Sequence, residues 1–67
     1  MFIVEWQRGG KTVHREPMLG ANLADVLRIA VGEAAEIVAK HGSLDTVRIQ
    51  DTYRNETTIH ELAASNA

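Results

Sequence analysis

The most constraining feature of this chain is the segment 22–41, whose apolar side chains recur with the period of an α-helix. At 100° per residue they fall within one stripe roughly 120° wide, which predicts an amphipathic helix packed by that stripe. The stripe contains Leu23, Val26, Leu27, Ala30, Ala34, Ile37 and Val38. Asn22 is the expected N-cap, and Gly42 is the expected stop, since glycine adopts the left-handed conformation that ends helices.

The residues before this helix alternate between apolar and polar, as in half-buried strands. The stretch "FIVEWQR" places Phe2, Val4 and Trp6 on one side. Two glycines then join it to "KTVHRE", which predicts a β-hairpin. We expect Pro17 to end the second strand, because proline has no N–H to donate to a neighbouring strand.

The residues after the helix alternate again. The stretch "TVRIQDTY" predicts a third strand whose inward side chains are Val47, Ile49 and Tyr53. "RNE" is the expected turn, and "TTIHEL" predicts a fourth strand. The alternative over residues 57–64 is a short helix, because Thr58 and Glu61 have the spacing of a capping box.

These elements predict an α+β fold of the order ββαββ, with one helix on one face of a four-stranded, mainly antiparallel sheet. The expected strand order is 2-1-3-4, which makes neighbouring strands antiparallel and needs one right-handed crossover. The 67 residues form a single domain, 1–67, and contain no cysteine. So small a domain has a small core, and many such domains gain stability by oligomerising.

Charge and hydropathy exclude several classes of protein. The net charge of −2 is mild, and 45% of the residues are hydrophobic, as in ordinary globular domains. We find no apolar run long enough for a membrane span and no basic start followed by an apolar run, as in a signal peptide. The expected location is the cytoplasm, without membrane association.

The stretch "WQRGGKT" ends as a phosphate-binding loop ends. That loop also needs a glycine at position 5, where this chain has Glu5, and a helix directly after it. Since a strand is expected to follow, the hairpin interpretation accounts for the stretch, and we expect no nucleotide binding.

The sequence gives little support for metal binding or catalysis. The three histidines, His14, His41 and His60, lack the spacing of a metal motif. Ser43 has no G-x-S-x-G context. A domain of one helix and one sheet offers little room for a deep pocket. We therefore expect no catalytic residue, metal, cofactor or small-molecule substrate, and no enzyme activity.

A nucleic-acid interface is a weaker hypothesis. Arg8, Lys11 and Arg15 cluster on the first hairpin, where residues 1–20 carry three basic and two acidic side chains. The aromatic residues, however, alternate in step with the core residues and are expected to face inward, whereas RNA-binding sheets expose aromatic side chains on their open face. The open face of the sheet is expected to be polar and to carry Glu5, Gln7, Thr12, His14, Glu16, Arg48, Gln50, Thr58 and His60.

The back of the helix provides the candidate interface. It carries Arg28, Ile29, Gly32, Ala35 and Ala39. Small residues let a second copy or a partner's helix approach closely, although surface alanines are also simply good helix formers.

In size and in its hairpin-helix-hairpin order, the chain resembles small standalone proteins of bacteria and phages, including phage-encoded inhibitors such as anti-CRISPR proteins. The resemblance concerns architecture and carries no residue across. It implies a non-catalytic module that acts by binding a protein as an inhibitor. The alternatives are a small nucleic-acid-binding domain that uses the first hairpin, and a structural subunit of a homo-oligomer such as a homodimer.

Overall fold

A computed structural model describes residues 1–62 of the chain. Its elements are β1 (Phe2–Arg8), β2 (Lys11–Met18), α1 (Leu23–His41), β3 (Thr46–Asp51) and β4 (Glu56–Glu61). The strands form one sheet in the order β2-β1-β3-β4, and every neighbouring pair is antiparallel. The predicted α+β fold, its ββαββ order and its strand order are all confirmed.

Helix α1 begins and ends where the sequence predicts. The side-chain oxygen of Asn22 accepts a hydrogen bond from the backbone N–H of Asp25 at 2.9 Å. At the other end Gly42 has a φ of 95°, and its N–H donates to the carbonyl of Val38 at 2.9 Å. In the described part of the chain, no helix is long and apolar enough to cross a membrane.

The first hairpin has the predicted tight turn. Gly9 and Gly10 have φ values of 57° and 81°, and positive φ at both central residues is typical of the type I′ turn. The prediction that Pro17 ends β2 is wrong, because the strand continues to Met18. A proline is tolerated there because β2 lies at the sheet edge and has a neighbour on one side only.

The core lies between α1 and the two central strands. Its buried side chains are Phe2, Val4, Trp6, Val26, Ala30, Ile37, Val47 and Ile49. Trp6 is fully buried, and its indole Nε1 donates to the carbonyl of Ala30 at 3.0 Å. The predicted helix stripe is wider than the actual contact, since Leu23 and Val38 are 37% and 41% exposed.

Helix α1 covers only part of the sheet. Four strands spaced about 4.8 Å apart make a sheet about 19 Å wide, whereas one helix is about 10 Å across. Within residues 1–62, Cα atoms of α1 come within 8 Å of β1, β2 and β3, but none does so with β4. The helix-facing side of β4 is therefore uncovered.

This partial coverage overturns four predictions about the open face. His14 lies opposite Trp6, and Glu16 lies opposite Val4. Opposite residues of an antiparallel pair share a face, so both point to the helix side. Thr58 and His60 do the same, because they lie opposite Ile49 and Val47. Polar residues occur there because these positions lie at the margins of the helix–sheet interface, where side chains are only half-buried.

The second hairpin corrects one further prediction. Its turn spans residues 52–55, and Tyr53 is 88% exposed rather than inward. β4 is a strand over Glu56–Glu61, so the strand prediction is confirmed against the short helix for the part that is described. Residues 63 and 64 lie outside the described residues.

Replacing Trp6 tests this packing. Because its side chain is fully buried and hydrogen-bonded, we expect Trp6→Ala to lower the free energy of unfolding by about 3–5 kcal/mol, close to the whole stability of so small a domain. Urea titration followed by circular dichroism measures the loss. Trp6→Phe is the control, since it keeps most of the ring volume. A Trp6→Ala variant with the urea midpoint of the parent would contradict the packing.

Candidate protein-binding groove

A groove lies between the start of α1 and the β3–β4 hairpin, and its cavity volume is about 580 Å³. It occupies the end of the region that α1 leaves uncovered. Its lining residues are Met1, Phe2, Gly20, Ala21, Asn22, Leu23, Ala24, Ile49, Asp51, Tyr53, Arg54, Glu56 and Thr58.

The groove has both apolar and polar lining residues, and its apolar part reaches the core. Phe2 and Ile49, both members of the core, contribute its buried surface. Leu23 and Ala24 border it from the first turn of α1, and Thr58 borders it from β4. A ligand placed there would therefore contact the hydrophobic core directly.

The rim of the groove carries exposed apolar side chains. Tyr53 is 88% exposed, Met1 46% and Leu23 37%. Leu19, 80% exposed, directly precedes the lining residue Gly20. Of the eight large hydrophobic residues exposed in residues 1–62, three thus line the groove. Single exposed apolar residues are ordinary, but a cluster around a concave surface makes the groove a candidate binding site.

Hydrogen bonds hold the β3–β4 turn in one conformation. The carboxylate of Asp51 accepts from the backbone N–H groups of Tyr53 at 3.0 Å and Arg54 at 3.2 Å. The hydroxyl of Thr52 donates to the carbonyl of Met1 at 2.7 Å. Tyr53 is therefore presented on an ordered turn, which lowers the entropy lost when a partner binds.

The opposite wall of the groove is the connection that precedes α1, and it packs closely against the helix. An added Cβ at Gly20 would lie 2.5 Å from Cγ2 of Val26, so only glycine lets the chain pass this close to α1. The N-cap bond of Asn22 holds the next part of the same connection. Both walls of the groove are therefore ordered before a ligand arrives.

A second cluster lies on the other side of α1, against β2. The ring of His14 stacks on that of His41 with 5.9 Å between centroids and packs against Trp6 at 5.3 Å. Its Nε2 lies 3.3 Å from the carboxylate of Glu16. Within residues 1–62, no three His, Asp or Glu side chains are grouped to hold a metal ion.

The carboxyl of Glu33 on α1 belongs to the same cluster. Partial burial raises its pKa above the usual value, and the nearby negative charges of Glu16 and Glu36 raise it further. The cluster is therefore an ionisable contact between helix and edge strand.

Two of the three residues predicted to contact nucleic acid lie together, because Arg8 and Lys11 are partners in the β1–β2 pairing. The guanidinium of Arg8 donates to the carbonyls of His41 at 3.1 Å and Ser43 at 2.9 Å, where it stabilises the negative end of the helix dipole. Lys11 is exposed at the start of β2. Arg15 lies on the open face and pairs with Glu5, which also pairs with Arg48. The nucleic-acid interface stays a prediction.

The predicted strip on the back of α1 is exposed. Ile29 is 39% exposed, and no atom outside the local helix backbone lies within 4 Å of a Cβ added at Gly32. Ala35 and Ala39 are also exposed, and Arg28 pairs with Asp25 at 3.0 Å. The strip is accessible and stays a prediction.

No pattern in the sequence predicted the groove. Tyr53 shares the phase of the core residues in β3, so alternation alone placed it inward. The signal that could have corrected this is Asp51, because aspartate commonly accepts hydrogen bonds from backbone N–H groups two residues on and starts a turn.

Comparisons with known proteins return no relative. The sequence matches no protein-family model, and no curated protein or solved structure shows significant similarity to the chain.

The raised pKa of Glu33 predicts a pH-dependent stability. The folded state holds the proton of this carboxyl at a pH where the unfolded chain has lost it, so its ionisation destabilises the fold as pH rises. Glu33→Gln should therefore have a higher urea midpoint than the parent at pH 7. The difference should vanish near pH 3, below the range in which glutamate titrates, about 4.3.

Gly32, in the middle of α1, and Gly20, just before the helix, should respond to substitution in opposite directions. Gly32→Ala meets open space and should raise the free energy of unfolding by about 0.5–1 kcal/mol, because alanine restricts the unfolded chain and favours helix. Gly20→Ala should lower it, because its Cβ would collide with Val26. Thermal melts of both variants decide this, and a stabilising Gly20→Ala would contradict the packed groove wall.

Proposed function

We propose that this chain is a non-catalytic module that binds another protein in the cytoplasm through the groove between α1 and the β3–β4 hairpin. The single observation that carries the proposal is the gathering of the exposed side chains Met1, Leu23 and Tyr53 around one concave, partly apolar surface. Binding energy in protein interfaces is concentrated in such exposed anchors, among which tyrosine is over-represented.

The shape of the site favours a macromolecule over a small molecule. The groove volume of about 580 Å³ would accept a small ligand, but Tyr53 and Leu19 are 88% and 80% exposed. Side chains that stand so far out of the groove are covered only by a partner that extends beyond it. A protein surface satisfies this condition.

Charge favours a protein over nucleic acid. Among the residues that line the groove, Asp51 and Glu56 are acidic and Arg54 is basic. Residues 42–67 carry four acidic and two basic side chains. Phosphate backbones require a basic surface, which this end of the molecule lacks. The expected ligand is a protein segment that presents apolar anchors next to a lysine or arginine.

Such a module acts by covering a surface of its partner. An inhibitor of this kind needs no chemistry of its own, only an ordered surface complementary to the site that it blocks. The preordered walls of the groove support this mode of action.

Affinity capture with paired variants tests the proposal. The parent, Tyr53→Ser and Ile29→Ser are immobilised at equal density and exposed to the same cell extract, and the retained proteins are quantified. Both substitutions remove one exposed apolar side chain, but Tyr53 lies at the groove and Ile29 on the back of α1. We expect a protein retained by the parent and by Ile29→Ser to be reduced at least about tenfold with Tyr53→Ser, the loss typical of a central anchor.

Two results would refute the proposal. Retention that is lost with Ile29→Ser and kept with Tyr53→Ser would assign the interface to the back of α1. Retention of DNA or RNA that weakens steeply with salt and is lost with Lys11→Ala would assign the function to the first hairpin.

A further inference from the structure

The two edges of the sheet differ in how they are protected against pairing with another strand. Edge strands expose unpaired N–H and C=O groups, and proteins block them with prolines, bulges and charged side chains, especially lysine. β2 has all three, since it carries Lys11, Arg15 and Pro17. Its register against β1 also shifts between Trp6 and Gln7, which marks a bulge.

The other edge, β4, lacks most of these devices. Its sequence, ETTIHE, contains no proline, lysine or arginine, and its pairing with β3 runs without a shift. Its middle residues are threonine and isoleucine, which favour β-structure, and Ile59 is 58% exposed. Among residues 1–62, no strand lies on the outer side of β4.

The sequence of β4 is complementary to itself. Side chains of a strand point alternately to the two faces of the sheet. When two identical strands pair, opposite residues must share a face, so both must have even numbers or both odd numbers. Centring the pair on Thr58 places Glu56 opposite the partner's His60 and Thr57 opposite the partner's Ile59. Both contacts occur twice, and threonine faces threonine at the centre. Opposite charges, β-branched pairs and threonine pairs all stabilise antiparallel sheets.

The competing register is centred on Ile59. It places Glu61 opposite the partner's Thr57 and His60 opposite the partner's Thr58, so the carboxylate no longer faces an imidazole. The register centred on Thr58 is therefore the more favourable of the two.

We propose that β4 pairs antiparallel with β4 of a second copy of this chain, with Thr58 opposite itself on the two-fold axis. The pairing joins two four-stranded sheets into one of eight strands and removes the unprotected edge of each. Both helices then lie on the same face.

Charge reversal tests the proposed pairing. Sedimentation equilibrium of the full chain should show a dimer. His60→Glu should weaken it about tenfold or more, since it places a second carboxylate opposite Glu56 at both contacts. The double variant Glu56→Lys with His60→Glu should restore much of the affinity, because it places a lysine opposite each new glutamate. Lys40→Glu on α1 is the control and should not change the affinity, and circular dichroism confirms that each variant is folded.

Disulfide trapping tests the register. The chain has no cysteine, so a single introduced cysteine can bond only with its copy. In the proposed register the two Thr58 Cα atoms are about 5 Å apart, within the range of a disulfide. Those of Thr57 or Ile59 are about 8 Å from their copies, outside that range. Thr58→Cys should therefore oxidise to a covalent dimer, while Thr57→Cys and Ile59→Cys should not.

Three results would overturn the inference. These are a parent that stays monomeric at millimolar concentration, a dimer that His60→Glu leaves unchanged, and a disulfide that forms at Ile59 rather than Thr58. Glu56 and Thr58 also border the groove, whereas His60 does not, so His60 separates the dimer contact from the groove function. Tyr53→Ser should leave the dimer intact, and a His60→Glu monomer that still captures the partner would separate the two surfaces.

Discussion

One α-helix is too narrow to cover a four-stranded sheet, and most features of this molecule depend on that mismatch. A helix about 10 Å across faces a sheet about 19 Å wide. The fully buried side chains of the sheet accordingly lie on β1 and β3, whereas the helix-facing residues of the edge strands are half-buried and often polar. The chain has the elements of a two-layer domain but only part of its second layer.

The contact that positions this single helix is the packing of Trp6 beneath α1. Its ring fills the centre of the interface, and its Nε1 group donates to the carbonyl of Ala30. A hydrogen bond between the middle of a strand and the middle of a helix fixes both the height and the rotation of the helix. Arg8 adds a second attachment at the end of α1, where it donates to the carbonyls of His41 and Ser43.

The two flanks of the helix are chemically different as a result. Toward β2, Glu33, His41 and His14 form an ionisable contact that closes this side. Toward β4, no such contact exists among the described residues, and the groove lies there with its apolar rim. The same asymmetry appears at the edges, since β2 is blocked against pairing and β4 is not. We propose that partner and second copy both bind on the β4 side.

Local rules in the sequence were sufficient for the elements and their order. The helix period, the Asn22 cap, the Gly42 stop and the paired glycines of the first hairpin act over a few residues, so each could be predicted without knowing the rest of the fold. The inward direction of Phe2, Val4, Trp6, Val47 and Ile49 followed from alternation for the same reason.

The tertiary structure alone determined the direction of the side chains on the edge strands and in the second hairpin. Alternation assigns a polar residue to the outer face, but His14, Glu16, Thr58 and His60 face inward because their strand partners do. Tyr53 leaves the core because Asp51 closes a turn before the strand reaches it. The part of the sheet that the helix covers depends on the lateral position of the helix. Side-chain packing between distant segments determines that position, and no local pattern in the sequence encodes it. The groove and the open edge are therefore consequences of the tertiary structure.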